Sequence, residues 1–267
     1  MLLFIMATSP PKDFQGAPGP FRASDIASGE PYELSNGHRI ECMPTGGRGA
    51  GPNAHGAAVL GSDPNVREIG VDPGYSPNPR TLRAPDIGVG NVPDAPGWIE
   101  GAPPLAVEYS DIGQDESALQ SKIRDLLSAG TQYIWVVRLT RPRRIEVYER
   151  NKAMYTVYPG QNLHAPGVLK NPVLVEALYD RDAAHEATLR NLLQSKGYED
   201  LEAVRREGRE EGREEGQKQA LCKAILDLAG LIGVELRPDQ MISLARMEPA
   251  ELQATMRYLV SKRAWPV

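Results

Sequence analysis

The sequence predicts an α/β (α+β) protein: a mixed β-sheet core with few helices, plus a helical C-terminal extension. Three observations lead there. Strand-like runs crowd residues 31–180 around one clear helix, at 115–129. "QYIWVVRL" is an uninterrupted apolar run of the kind found at a sheet centre, and "RRIEVYER" after it alternates with period two. From Leu221 onward, Leu221, Ile225, Leu228 and Ile232 repeat at helical spacing.

Each element follows in order. Residues 1–30 are rich in Pro, Gly and Ser and are expected to be poorly ordered. "PYELSNGHRIECMPT" reads as a β-hairpin, with Asn36-Gly37 as a two-residue type I′ turn. "GGRGAGPNAHG", residues 46–56, reads as a loop or loop–helix junction, and the absence of G-K-[ST] excludes a phosphate-binding P-loop. "VREIGVD" is a short strand, "GYSPNPRTL" is turn-rich, and "RAPDIGVG" and "PLAVEY" are strands. The helix 115–129 has Asp115 as its N-cap and Gly130 just past its end. "RRIEVYER" pairs with "AMYTVYP" across a turn near Asn151-Lys152.

Residues 181–203 look helical, and a charged arm, "REGREEGREEG", continues to residue 219. Gly208, Gly212 and Gly216 recur every fourth residue. On a helix each costs about 1 kcal/mol relative to Ala, so the arm is a frayed helix, a hinge, or a helix docking its glycine stripe on a partner. Residues 220–267 read as three short helices broken at Gly233–Pro238 and Glu248-Pro249. The expected division is therefore 1–30, 31–180, 181–219 and 220–267.

Composition bounds the function. The chain has 267 residues, 41% hydrophobic and 24% charged, which fits a globular protein and not a disordered one. No apolar run is long enough to span a bilayer. The opening "MLLFIMATSPPKDF" has no basic residue before its apolar run and makes a poor signal peptide. Cys42 and Cys222 stand far apart, with no disulfide framework or zinc spacing, so a reducing cytoplasm is the expected compartment. The net charge is −5, and residues 1–180 carry 16 basic against 20 acidic residues. A chain of this balance does not attract nucleic acid globally, so any such contact must rest on a local patch or on metal ions.

Three residues stand out as chemistry. Asp86 opens one strand, Glu108 ends another, and Lys122 lies at the edge of the buried stripe of the helix, whose apolar members are Leu119, Ile123, Leu126 and Leu127. Two carboxylates suit Mg²⁺ or Mn²⁺, which take one or two protein carboxylates and keep several waters. A lysine beside them can orient an attacking water or stabilise charge on a phosphate. The same residues also fit a plainer arrangement, a strand-opening aspartate and a partly buried Glu–Lys ion pair.

The ordered set "REIGVD", "APDIGVG", "PPLAVEYSD", "QSKIRDLLSAGTQYIWVV" and "RRIEVYE" resembles the Uma-type restriction endonuclease family, a branch of the PD-(D/E)XK nuclease superfamily. The resemblance covers roughly residues 30–180 and implies a restriction-endonuclease-like fold. It implies Mg²⁺-dependent cleavage of DNA phosphodiesters by Asp86, Glu108 and Lys122, with Asp86 and Glu108 holding the metal and Glu68 near the same site. The superfamily pattern puts lysine two residues after the glutamate. That position is Ser110 here, and Lys122 resembles the relocated lysine of the Uma-type branch. The family also shows a long first helix, for which the stretch between His55 and Glu68 looks short.

Other residues have narrower readings. Arg141, Arg143 and Arg144 form the tight basic cluster of the main domain, with Arg143 and Arg144 as DNA contacts or a solvated edge. Trp98 is a candidate for the site wall, whereas Trp135 reads as core packing. Asp115 reads as a cap and Asp111 as a loop carboxylate. The main alternative is a nuclease-fold binding or regulatory protein without turnover. The C-terminal helices resemble extensions on transposase-associated nuclease-like proteins and are a candidate homo-oligomer or partner-binding module. On another reading those helices make the chain a purely structural assembly factor.

Overall fold

The computed structural model describes residues 19–113 and 115–266, in two compact units, one ending at Gly197 and one beginning at Tyr198. Most of the segment expected to be poorly ordered, residues 1–18, lies outside the described residues. Its remainder is built into the fold. A 3-10 turn at Ala23–Asp25 lets Ala23 and Ile26 bury themselves against Leu34 and Leu82. Two apolar side chains there outweigh the proline and glycine around them.

In the first unit β1 (Tyr32–Ser35) and β2 (His38–Glu41) form the expected hairpin. Asn36 and Gly37 both take positive φ, 50° and 81°, as a type I′ turn requires. Next comes α1 (Gly47–Gly61), where the glycine-rich run reads as a loop in the sequence. Tertiary packing overrides propensity here. Val59 and Leu60 are fully buried in the main core, and Gly56 lets α1 approach the sheet so closely that an added Cβ would lie 2.1 Å from the Tyr109 hydroxyl. The long first helix is thus present, but it begins in the glycines.

The strands β3 (Ile69–Val71), β4 (Tyr75–Asn78), β5 (Thr81–Arg83), β6 (Ile87–Val89), β7 (Ile99–Glu100) and β8 (Leu105–Ser110) follow. The turn-rich "GYSPNPRTL" is itself the β4–β5 hairpin. Then come α2 (Glu116–Ala129), β9 (Tyr133–Arg138), β10 (Arg144–Glu149), β11 (Tyr155–Val157), β12 (Asn162–Leu163), β13 (Val173–Leu174) and a 3-10 turn, Val175–Leu178. Asp115 caps α2 by accepting from the Ser117 and Ala118 amides, and Gly130 ends it at φ 117°.

The larger sheet runs β11-β10-β9-β8-β6-β3, with β8 and β9 parallel and the other neighbours antiparallel. The smaller runs β2-β1-β5-β4-β7. One face of the larger sheet carries Val107, Tyr109, Trp135 and Val137 into the main core. The other face packs Ala106, Ile134 and Val136 against Leu119, Ile123 and Leu126 of α2. That second face carries the candidate residues.

α3 (Arg181–Ser195) belongs to the first unit, burying Ala184 and Ala187 in its core. The stretch 181–203 is therefore not one helix. It breaks at Gly197, φ 90°, and α4 (Leu201–Leu231) starts afresh with Asp200 as its N-cap. The charged arm and the first tail helix are this single 31-residue helix. Ile225 of α4 packs with Leu244 of α5 (Pro238–Arg246) and Leu252 and Leu259 of α6 (Pro249–Lys262) into the small core of the second unit.

Candidate active site

Strand register brings the acids together. Ile87 of β6 pairs with Val107 of β8, so Asp86 and Glu108 come next in line on adjacent strands. Side chains alternate across a sheet. Ile87 and Val107 face the main core, so both carboxylates project to the α2 face. The Asp86 Oδ2 accepts a hydrogen bond from the Tyr109 amide at 2.6 Å, which fixes Asp86 to the neighbouring strand.

Lys122 comes down onto this pair from α2. Its Nζ lies 3.2 Å from both carboxylate oxygens of Glu108 and donates to Oε2. It also donates to the Ala84 carbonyl at 2.9 Å, two residues before Asp86. Its nearest carboxylate, however, is Glu33 of β1, at 2.9 Å. Glu33 is 4% exposed and is held in turn by Arg83, 1% exposed, at 3.0 Å.

Sequence reasoning missed Glu33 and Arg83, which reach the site from the smaller sheet. A signal existed: an acid and a base stand in strands of otherwise buried pattern, "YELS" and "TLR". Charges in such positions need partners.

The electrostatics follow from crowding. Burial pushes the Glu108 carboxyl up to about 8, Asp86 and Glu33 add to the rise, and Lys122 opposes it. Burial likewise raises Asp86, with Lys122 and the Tyr109 amide pulling the other way. Desolvation alone would lower Lys122, but Glu108, Glu33 and Asp86 outweigh it and hold the ammonium well above the ordinary lysine value. Glu108 Oε1 is buried and accepts no hydrogen bond.

Two expected residues fall elsewhere. Glu68 is not at this site. β3 and β6 are antiparallel, so Glu68 stands beside Gly90, whose amide donates to the Glu68 carbonyl at 2.8 Å, and its carboxylate accepts from the Val92 amide at 2.9 Å. That is the opposite end of the strands from Asp86, roughly 13 Å along them. Asp72, at the near end of β3, takes the place expected of Glu68. Its amide donates to the Asp86 carbonyl at 3.2 Å, and burial raises its carboxyl, with Lys122 opposing. Trp98 packs beside Leu82 in the smaller core and donates to the Ala23 and Ile26 carbonyls at 3.0 and 3.2 Å, so it forms no wall of this site.

Arg143 and Arg144 lie at the same sheet end as Glu108, since Arg144 pairs with Arg138 and Arg138 with Ser110. Both already have protein partners. The Arg143 guanidinium sits 4.6 Å from the Tyr179 ring centre, and Arg144 pairs with Glu146 at 3.2 Å. Arg138 bridges Glu116 and Glu146, both at 2.8 Å, and its hydrogen bonds hold Glu116 down to about 2.

No family model matches this sequence, and no curated protein does. The crystal structure of "a putative nuclease belonging to DUF820" from Anabaena variabilis ATCC 29413 is similar, with a TM-score of 0.52 at 17% sequence identity, over 62% of this chain and 99% of that one. The chain has a restriction-endonuclease-like fold. The donor type suits a divalent ion, two hard carboxylates on one face, with Glu108 Oε1 buried and met by the Lys122 ammonium at 3.2 Å. Among the described residues no group of three or more Asp, Glu, His or Cys is arranged as a metal cluster, so water and substrate would supply the remaining ligands.

Proposed function

We propose that this chain is a divalent-metal-dependent endonuclease that hydrolyses DNA phosphodiester bonds. The observation that carries the reading is the convergence of Asp86, Glu108 and Lys122 on one face of a nuclease-like sheet. Asp86 and Glu108 would hold Mg²⁺ or Mn²⁺, which supplies Lewis-acid polarisation of a phosphoryl oxygen when bound.

The chain's own groups do the rest. The Tyr109 amide fixes Asp86. Glu108 sheds the proton that burial favours and offers Oε1, which accepts no hydrogen bond and faces only the Lys122 ammonium at 3.2 Å, as a ligand. The Lys122 ammonium orients the attacking water and meets the charge that gathers on the phosphate as the new P–O bond forms and the old one breaks. Arg143 and Arg144, at the same end of the sheet, are the proposed contacts to the DNA backbone.

Calorimetric titration with Mn²⁺, beside a plasmid-nicking assay, tests this. Wild type binds and nicks. Asp86→Ala and Glu108→Ala lose metal binding while remaining folded, and Lys122→Ala binds metal but nicks poorly. Undiminished Mn²⁺ affinity in both carboxylate variants would end the proposal.

One observation favours the alternative, a nuclease-fold protein that binds without turnover. Lys122 already has three acceptors, Glu33, Glu108 and Ala84 O. Salt-sensitive DNA binding with no nicking in either metal would select it.

A further inference from the structure

We propose that Glu33 is a positioning residue that acts through Lys122, sharing the ammonium with Glu108 so that it keeps its place when Glu108 turns to another ligand. The inference rests on the nuclease reading, in which Lys122 orients water.

The geometry is closed on every side. Glu33 Oε1 lies 2.9 Å from Lys122 Nζ and accepts from the Ala84 amide at 3.3 Å, while the Ala84 carbonyl accepts from Lys122 at 2.9 Å. Glu33, Ala84 and Lys122 therefore form a ring two residues from Asp86. Glu33 Oε2 takes Arg83 Nη1 at 3.0 Å. Arg83 cannot swing away, because its Nε and Nη2 grip Asp125 at 2.8 and 2.6 Å and its Nη2 donates to Ser121 at 3.2 Å. Ser121 and Asp125 flank Lys122 on α2, and Ser35, two residues after Glu33, donates to Asp125 at 2.8 Å. The hairpin that carries Glu33 and the helix that carries Lys122 are thus locked in register through Arg83.

The physical need is clear. A lysine stem has many rotamers, and an ammonium facing one buried carboxylate settles on it as a tight pair. Such a pair would neutralise Glu108 and compete with any cation it is to hold. Glu33 supplies the counter-pull, so Lys122 keeps a fixed place when Glu108 turns to another ligand.

A double-mutant cycle tests this on the full-length protein, with Glu33→Gln and Lys122→Met measured singly and together. The expected result is a fall in kcat of about tenfold or more for Glu33→Gln, with KM for plasmid DNA within about twofold. Glu33→Asp recovers part of the rate. In the Lys122→Met background, Glu33→Gln costs nothing further. A kcat close to wild type, or an equal loss in the Lys122→Met background, overturns the inference. Should Lys122→Met fail to fold, Lys122→Gln takes its place.

Should wild type neither nick DNA nor bind Mn²⁺, the nuclease reading falls and the inference is judged from thermal unfolding of the same four proteins. Non-additive effects of the two substitutions then support the Glu33–Lys122 coupling, and additive effects overturn it.

Discussion

The Lys122 ammonium lies closer to Glu33 than to Glu108, 2.9 Å against 3.2 Å. One lysine serves two buried carboxylates from two different sheets. Removing it strands Glu108 and leaves Glu33 to Arg83 and the Ala84 amide.

Lys122→Met should therefore destabilise the first unit by about 3–5 kcal/mol, the usual cost of breaking a buried pair from one side. Thermal unfolding monitored by circular dichroism measures it. A loss below about 1 kcal/mol would mean that the site is open to water and the pair is worth no more than a surface one.

Glu108 makes stability depend on pH. Its folded value, about 8, lies above the ordinary 4.5. A group raised on folding contributes stability that is complete below its unfolded value and is lost as pH climbs through its folded value. The metal-free protein should thus lose stability between about pH 5 and 8, and Glu108→Gln should flatten that slope. Denaturant unfolding at a series of pH values reads the difference. The same proton should leave when Mn²⁺ binds below pH 8, which calorimetry in two buffers of unlike ionisation enthalpy detects.

Gly56 is needed for close approach. A Cβ there would stand 2.1 Å from the Tyr109 hydroxyl, which is itself bonded to the Leu178 carbonyl at 2.9 Å. Gly56→Ala should cost about 1–3 kcal/mol by overpacking, although alanine is the better helix former. A neutral or stabilising result in chemical denaturation would show that α1 sits further from the sheet.

The helical arm makes the opposite prediction. Cβ atoms added at Gly208, Gly212 and Gly216 meet nothing. Each change to Ala should stabilise α4 by up to about 1 kcal/mol. Light scattering of the triple variant also tests assembly: a lower mass than wild type would mean that the glycines pack against another copy.

Much of the fold is legible because its signals are local. Asn36-Gly37, Asp115 and Gly130 name their turns and caps without help from distant residues. Asp86, Glu108 and Lys122 are legible as a set because the strands and the edge of a helical stripe point to one place, although Glu108 lies two residues inside β8 and does not end it. What escapes is long-range. Nothing near Gly47–Gly61 announces a helix, since its stability comes from Tyr109 and the core beneath it. Glu68 and Asp72 lie at the two ends of one short strand, and only the antiparallel partner decides which end meets Asp86. Glu33 reads as an acid in need of a partner, but only the smaller sheet lying over α2 shows that the partner is Lys122.

That last arrangement sets the site on a seam. Asp86 and Glu108 are rooted in one sheet, Glu33 and Arg83 in the other, and the helix between them carries the shared cation. A slight parting of the two sheets would leave Lys122 with a single acid to answer to, so mechanical slack anywhere along that seam would be felt first as a change in local charge. A substitution such as Leu34→Ala, well away from any phosphate, could quiet such a protein without touching a reacting group.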